Sequence, residues 1–306
     1  MNNTNYPFIS VATPTYNRRP FIRQLINNYM NQTYPKNNME WIIIDDGEDK
    51  VKDIFDSYQN ETNNSILNLE YVSLSEKIPL GKKRNLMNKL CKGDIIIYMD
   101  DDDYYPPSRV KHAVDMLQKN KDYLIAGCTE LYIHFIDLKK TFKFGPYHKN
   151  HCTAATFSFK KELLKTCNFN ESKTFAEESS FLNKYNIPVL QLDPLKTILV
   201  FNHTNNTCDR HKLLINWEKK ISVNECNLDL KDIINSDYIY NFYTNINETL
   251  KTYEIKNDEK VMYKNDDGTS RIVEYKELAK IVNLMKQRIN DLESENKNLR
   301  ISLKKM

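Results

Sequence analysis

The sequence predicts an α/β chain built on an open, mostly parallel sheet with helices on both faces. Three observations point there. Short apolar runs at 8–13, 41–44 and 95–99 alternate with segments of helical periodicity, the order that gives parallel strands joined by crossover helices. Polar residues gather just after those runs, at 13–18, 45–46 and 100–103, where open α/β sheets bind their ligands. And 306 residues, 40% of them hydrophobic, suffice for one large domain plus an appendage.

Phe8 to Thr13 reads as a strand broken by Pro14, and Pro20 suits the first turn of a helix. Phe21, Leu25, Tyr29 and Ile22, Ile26, Met30 recur every fourth residue, the mark of a buried helix face. Trp41 to Ile44 is a strand ending at Asp45-Asp46-Gly47; Val51 to Tyr58 is a helix and Asn68 to Ser73 a strand. Lys82 to Lys92 is a helix closed by Gly93. Ile95 to Met99 is an apolar strand followed at once by four aspartates, and Ser108 to Lys119 is a helix. Further on, 123–126, 131–136, 153–159, 189–190 and 198–201 read as strands, with short helices at 161–166 and 177–185. Residues 208–260 show helical patches without an assignable fold. Val282, Met285, Ile289, Leu292, Asn296, Leu299 and Leu303 form heptads, which predict a dimerising coiled coil or, alternatively, one docked amphipathic helix.

Net charge is +3 without a clustered basic patch, so nucleic acid is not an expected partner. There is no run of about 18 apolar residues and no signal-peptide pattern. The six cysteines lack a C-x-x-C pair, which argues against a zinc ribbon or disulfide framework. The expected compartment is the reducing cytoplasm, with no integral membrane segment.

The strongest chemical feature is Asp100 to Asp103 at a strand end. Adjacent carboxylates repel unless a cation neutralises them, and hard oxygen ligands suit Mg²⁺, Mn²⁺ or Ca²⁺. Alternate residues point the same way as a chain leaves a strand, so Asp100 and Asp102 could share a metal and a nucleotide; a solvated acidic loop is the plain alternative. Asp45-Asp46-Gly47 suits either a turn with a helix cap or a carboxylate accepting from a base or ribose. Lys82-Lys83-Arg84-Asn85 opens a helix, either as an anion site or as a solvated face.

Pro14-Thr15-Tyr16-Asn17-Arg18, Gln32-Thr33-Tyr34-Pro35, Ile43-Ile44-Asp45-Asp46-Gly47, Gly81-x-Lys83-Arg84-Asn85, and Met99-Asp100-Asp101-Asp102-Asp103 with Pro107 together resemble family 2 glycosyltransferases of the GT-A fold. The resemblance covers roughly 6–205. It implies a GT-A domain there; beyond it the chain itself reads as a mixed, mainly helical extension over 206–275 and, from the heptads, a coiled-coil helix over 276–306, with a homodimer formed through 278–306. It further implies a nucleoside-diphosphate-sugar donor, a UDP-sugar first, a glycan, protein or small-molecule acceptor, and Mn²⁺ or Mg²⁺.

In that resemblance Thr13, Pro14, Tyr16 and Asp45 or Asp46 hold the nucleoside, and Arg84 the base or pyrophosphate side. The D-x-D pair maps to Asp100 and Asp102, ribose and metal respectively. Because all four positions are Asp, a one-residue slip would bring in Asp101. The family's late Glu-Asp pair stands here as Glu177-Glu178, with Glu178 the expected base and Glu177 second; a helix first turn enriched in acids is the other reading. His203 is expected as a further metal ligand, although a lone His is often structural. Residues 144–156 lie where an acceptor loop would be, and Trp41 and Trp217 are expected in the core. The rival readings are a nucleotidyltransferase, disfavoured because 14–20 lacks glycine, and a non-catalytic GT-A scaffold.

Overall fold

The computed structural model describes residues 6–174, 177–206 and 210–253, the backbone of 260–264 and 270–274, and residues 288, 289 and 292. The chain divides into two compact units, Met1–Glu254 and Ile255–Met306. Residues 210–253 fall in the first of these.

The first unit opens with β1 (Ile9–Thr15), α1 (Arg19–Met30), β2 (Met39–Asp45), α2 (Lys52–Glu61), β3 (Leu69–Ser73), α3 (Leu80–Leu90), β4 (Ile95–Tyr98) and α4 (Arg109–Lys119). Then come β5 (Ile125–Gly127), β6 (Leu131–Phe135), β7 (Lys140–Phe144), β8 (Ser158–Lys160), α5 (Glu178–Phe181), β9 (Val189–Gln191), β10 (Val200–Asn202), β11 (Val223–Cys226) and α6 (Asp237–Thr252). The main sheet runs β3-β2-β1-β4-β8-β5-β9. It is parallel except for β8, which is antiparallel to both neighbours.

Strands buried on both faces read as continuous apolar runs, and their alternation fills two cores. Val11, Trp41, Ile43 and Ile97 face α1, α2 and α4; Ala12, Ile42, Ile44 and Ile96 face α3 and the segment around Phe181. Pro20 lies in the first turn of α1, and Tyr29 from that helix stacks on Trp41 at 4.3 Å. Pro14 sits in β1 without disrupting the ladder. The β1–β4 pairing stops at Ala12↔Tyr98, so a missing N–H two residues later on that side breaks no pair.

Several expected elements take other forms. Gly93 does not cap α3, which ends at Cys91 in extended conformation. Instead a Cβ there would stand 2.4 Å from the Ser10 nitrogen, so the residue is small because β1 passes against it. The strand expected over 153–159 is a 3₁₀ turn, Ala154–Thr156, followed by β8. The fully buried Arg109 organises it by donating to the Thr156 and Phe157 carbonyls and to Ser158 Oγ. The 161–166 segment is 3₁₀. The 177–185 helix is one turn, because Asn183, Lys184 and Tyr185 all take positive φ.

A second sheet, β10-β6-β7-β11, contains two unanticipated strands, β7 and β11. Helix α6 is also new. Ser236 caps it, and its stripe Ile239, Tyr243, Ile246, Leu250 packs with Phe21 and Phe201 in a third core. In the second unit β12 (Lys260–Lys264) and β13 (Ser270–Glu274) form an antiparallel pair. The expected coiled coil over 276–306, and the dimer with it, lie outside the described residues apart from 288, 289 and 292, which are helical.

Candidate active site

The strand order reverses between β1 and β4: the chain winds outward through β2 and β3, then returns to the other side of β1. Such a switch point leaves a crevice beyond the strand ends because the connecting loops diverge. Here the segments 16–18 after β1 and 99–104 after β4 come together through Arg18 and the aspartates, and the Tyr104↔Leu199 bridge brings the start of β10 beside them.

The four aspartates part company there. Asp100 receives Arg84 Nη1 and Nη2 at 3.3 Å; it keeps 24% side-chain exposure, the most open of the three ion-paired acids. Asp101 faces Arg18 Nε at 3.5 Å. Burial raises its carboxyl to about 7, against the pull of Arg18 and with the help of the Asp102 charge. Asp102 Oδ2 lies 3.1 Å from His203 Nε2 and 3.4 Å from Arg18 Nη2. Burial pushes this carboxyl up, but the His203 hydrogen bond and Arg18 prevail and bring it well below the usual range. Asp103 turns inward: its Oδ1 accepts from Phe201 N at 3.3 Å, and its carbonyl accepts from Asn28 and Tyr243.

Other expected ligand groups have partners inside the fold. Thr13 Oγ1 donates to the Met99 carbonyl at 2.7 Å and accepts from Trp41 Nε1, so its side chain is turned away from the crevice. Asp45, fully buried, accepts from Gly47 N, Val51 N and Tyr71. It follows the turn-and-cap reading. Asp46 accepts from Ile78 N and forms a buried ion pair with Lys83, which also reaches the Thr15 carbonyl. Tyr16 is half-buried, with Lys77 Nζ 3.9 Å over its ring. The basic start of α3 is neither an open anion site nor a solvated face. Gly81 N donates to the Lys173 carbonyl, Asn85 holds the Phe169 backbone in a reciprocal pair, and Lys83 and Arg84 are internal.

Arg84 links two parts of the site. Its Nε donates to Glu177 Oε1 at 2.6 Å while its other nitrogens hold Asp100. Glu177 is thus locked, 3% exposed. Glu178, next along and in the first turn of α5, is half-buried, and burial raises its carboxyl above the usual range. The 144–151 stretch is tied down nearby: Thr129 Oγ1 accepts from Tyr147 N and His148 N, and Asn150 donates to the Tyr185 carbonyl.

Among the described residues no group of three or more His, Cys, Asp or Glu converges as a ready metal cage. The Asp102–His203 pair nevertheless fits a divalent cation of the kind that keeps two protein donors and takes the rest from substrate phosphates. A carboxylate oxygen and an imidazole nitrogen 3.1 Å apart are suitable donor types. The Asn205 N–H on His203 Nδ1 calls for the ring proton on Nε2, whereas Asn206 Nδ2, 3.0 Å from Nε2, calls for the other tautomer, with Nε2 as acceptor. A metal on Nε2 would need that second tautomer.

Two groups escaped the sequence reading. Arg18 was part of a quoted motif but carried no assigned role; it spans Asp101, Asp102 and the Asn205 carbonyl. Tyr243 lay in the unassigned third, where the four-three-four spacing of Ile239, Tyr243, Ile246 and Leu250 was the available signal.

The sequence matches the family described as Glycosyl transferase family 2 over residues 10–172. Poly(ribitol-phosphate) beta-N-acetylglucosaminyltransferase TarS of Staphylococcus aureus is 31% identical over 112 residues, 36% of this chain and 19% of TarS. Chondroitin synthase of Escherichia coli is 26% identical over 268 residues, 82% of this chain and 37% of the synthase. The chain thus spans well under half the length of either relative. In fold it is similar to mannosyltransferase PcManGT from Pyrobaculum calidifontis, solved with GDP-Man and Mn²⁺: TM-score 0.52, 18% identity, covering 64% of this chain and 57% of that one. The domain is a GT-A fold, and with more than half its length matched the chain belongs to glycosyl transferase family 2.

Proposed function

We propose that the protein is a hexosyl- or hexosaminyltransferase. It moves a sugar from a nucleoside-diphosphate sugar to an acceptor hydroxyl, with inversion and with Mn²⁺ or Mg²⁺. The observation that carries this is the Arg84 bridge. One guanidinium joins Asp100, on the donor wall of the crevice, to Glu177, next to the candidate base. Donor and acceptor chemistry are thereby held in one rigid frame. A UDP-sugar is the first donor to test.

In this reading Asp102 and His203 hold the cation, and Asp100 faces the ribose. When bound, the cation supplies Lewis-acid stabilisation of the charge that develops on the departing diphosphate. Glu178 takes the proton of the acceptor hydroxyl as it attacks the anomeric carbon from the face opposite the leaving group, and burial of its carboxyl suits a base working nearer neutrality. Glu177 cannot do this while paired with Arg84; its part is to fix the start of α5. The 144–156 stretch, anchored to Thr129 and Tyr185, borders the acceptor. No helix among the described residues is long and apolar enough to cross a membrane. The five described cysteines are free thiols, which supports a reducing, cytoplasmic setting. Dimerisation through 278–306 belongs to the same proposal.

The test is nucleoside diphosphate release from UDP-, GDP- and dTDP-sugars with Mn²⁺, with and without EDTA, beside Asp102→Ala. Metal-dependent release from one donor, absent in the variant, is expected. No release, together with no binding of any of the nucleotides, would overturn the proposal in favour of a scaffold.

A further inference from the structure

The family match ends at residue 172, yet the acid pair of the site is clamped from beyond it. Helix α6 contacts the residues that flank the Asp102–His203 pair: Asp103 on one side, Phe201 and Thr204 on the other. On the aspartate side, the Tyr243 hydroxyl donates to the Asp103 carbonyl at 2.7 Å. Asn28 Nδ2, from α1, lies 2.9 Å from that carbonyl and 2.9 Å from the Tyr243 oxygen, so two buried side chains close on the carbonyl of the residue after Asp102. On the histidine side, the Tyr243 ring stacks on Phe201 at 4.5 Å and 16°; Phe201 N donates to Asp103 Oδ1, and His203 follows two residues later. One turn further along the helix, Asn247 Oδ1 accepts from Thr204 N at 3.0 Å. Phe242, on the same turn, packs edge-on against Phe21, whose ring lies 4.8 Å from His203.

We propose that Tyr243 is a positioning residue for the donor-binding pair, and that α6 acts as the clamp which sets the separation of Asp102 from His203. The inference rests on the proposed function, since it concerns how that site is held. Its physical basis is the location of the contacts. Asp102 and His203 lie on separate loops, 101 residues apart in the chain, and a buried phenol binds one loop through a hydrogen bond and the other through its ring. Tyr243 acts through the Asp103 peptide. A neutral buried hydrogen bond contributes on the order of 1 kcal/mol, so its loss loosens the pair without unfolding the helix, whose stripe of Ile239, Ile246 and Leu250 stays intact.

The experiment measures UDP, GDP and dTDP affinity by calorimetry, with Mn²⁺ and with EDTA, for the full chain and for Tyr243→Phe. Tyr238→Phe, on an exposed position of the same helix, is the control, and Asn247→Ala tests the second arm of the clamp should the phenylalanine variant fold poorly. The expected result is that Mn²⁺ enhances nucleotide affinity roughly five- to tenfold less in Tyr243→Phe than in the full chain. Affinity in EDTA is unchanged, the control behaves as the parent, and Asn247→Ala falls in the same direction. A merely structural role would lower the melting temperature and leave the Mn²⁺ enhancement untouched; that result in both α6 variants overturns the inference while the proposed function stands. If the unmodified chain binds none of the nucleotides, the proposed function fails and the inference with it.

Discussion

Arg84 offers the sharpest test of how the site is built, because the sequence reading made it a ligand for the donor and the structure makes it an internal brace. The perturbation is Arg84→Met, which keeps the stem and removes the charge. The guanidinium is 3% exposed, Glu177 is 4% exposed, and Asp100 is 24% exposed. Deleting one partner of a buried ion pair costs about 3–5 kcal/mol, because the other charge is left uncompensated. Glu177 would bear most of this, since Asp100 is open enough to be rescued by water. For a domain of this size about 1 kcal/mol moves the melting temperature by about 2–4 °C, so a drop of about 10 °C is expected. Adding Glu177→Gln should recover part of that loss, because no charge is then stranded. The assay is thermal unfolding followed by circular dichroism, beside nucleotide titration. A variant that melts within about 2 °C of the parent while losing nucleotide affinity would refute the brace and restore the ligand role.

Glu178→Gln should lower kcat by about 10²–10⁴, the usual worth of a general base, with nucleotide affinity retained. Single-turnover transfer beside calorimetry checks this. Since the base must be ionised, kcat/KM should fall as pH drops through its pKa, and burial places that limb above the ordinary Glu value of about 4.3; a limb at or below that value would remove Glu178 from the role. His134 gives a stability prediction away from the site. It is buried with Nδ1 near Thr141 Oγ1, and burial lowers its pKa to about 4. The folded form therefore holds the neutral ring at pH values where the unfolded chain already binds a proton. Stability is fully present above about 6.5 and is lost as pH falls toward 4, by up to about 3 kcal/mol. Urea midpoints across that window should decline more steeply for the parent than for His134→Gln, and equal slopes would show that the ring does not carry the effect.

The first 120 residues were legible because their strands are buried on both faces and their helices carry a clean apolar stripe. Residues such as Ile42 and Ile43, which feed opposite cores, announce a strand whatever surrounds them. Beyond that point the signals weaken for identifiable reasons. β5, β8, β9 and β10 are three residues long, too short to show a period. β8 is set by Arg109 rather than by its own propensity, and β7 mixes Lys140 and Lys143 with its buried residues. The α6 stripe was present in the sequence but lay in a stretch dominated by Asn, Asp and Lys. Gly93 was misread because a close backbone approach and a helix stop select the same residue.

The site was legible as a location and much less so as a set of roles. Asp45, Asp46 and Asp100 to Asp103 all lie where strand ends should put them, yet a carboxylate that caps a turn and one that faces a substrate carry the same letter. What separates Asp100, Asp101, Asp102 and Asp103 is the identity of partners at Arg84, Arg18, His203 and Phe201, none of which can be paired with a particular aspartate from the run itself. Four consecutive acids at a strand end cannot all face one cleft, because the backbone turns as it leaves the strand. The fold gives them different partners: Arg84 holds Asp100, Arg18 spans Asp101 and Asp102, and Asp103 folds back onto β10. Asp100 is braced by Arg84 of α3, and Asp102 by Arg18 and by His203 just after β10. Substituting Arg18 or Tyr243 should therefore disturb Asp102 before Asp100, since both residues act on the 101–103 end of the run.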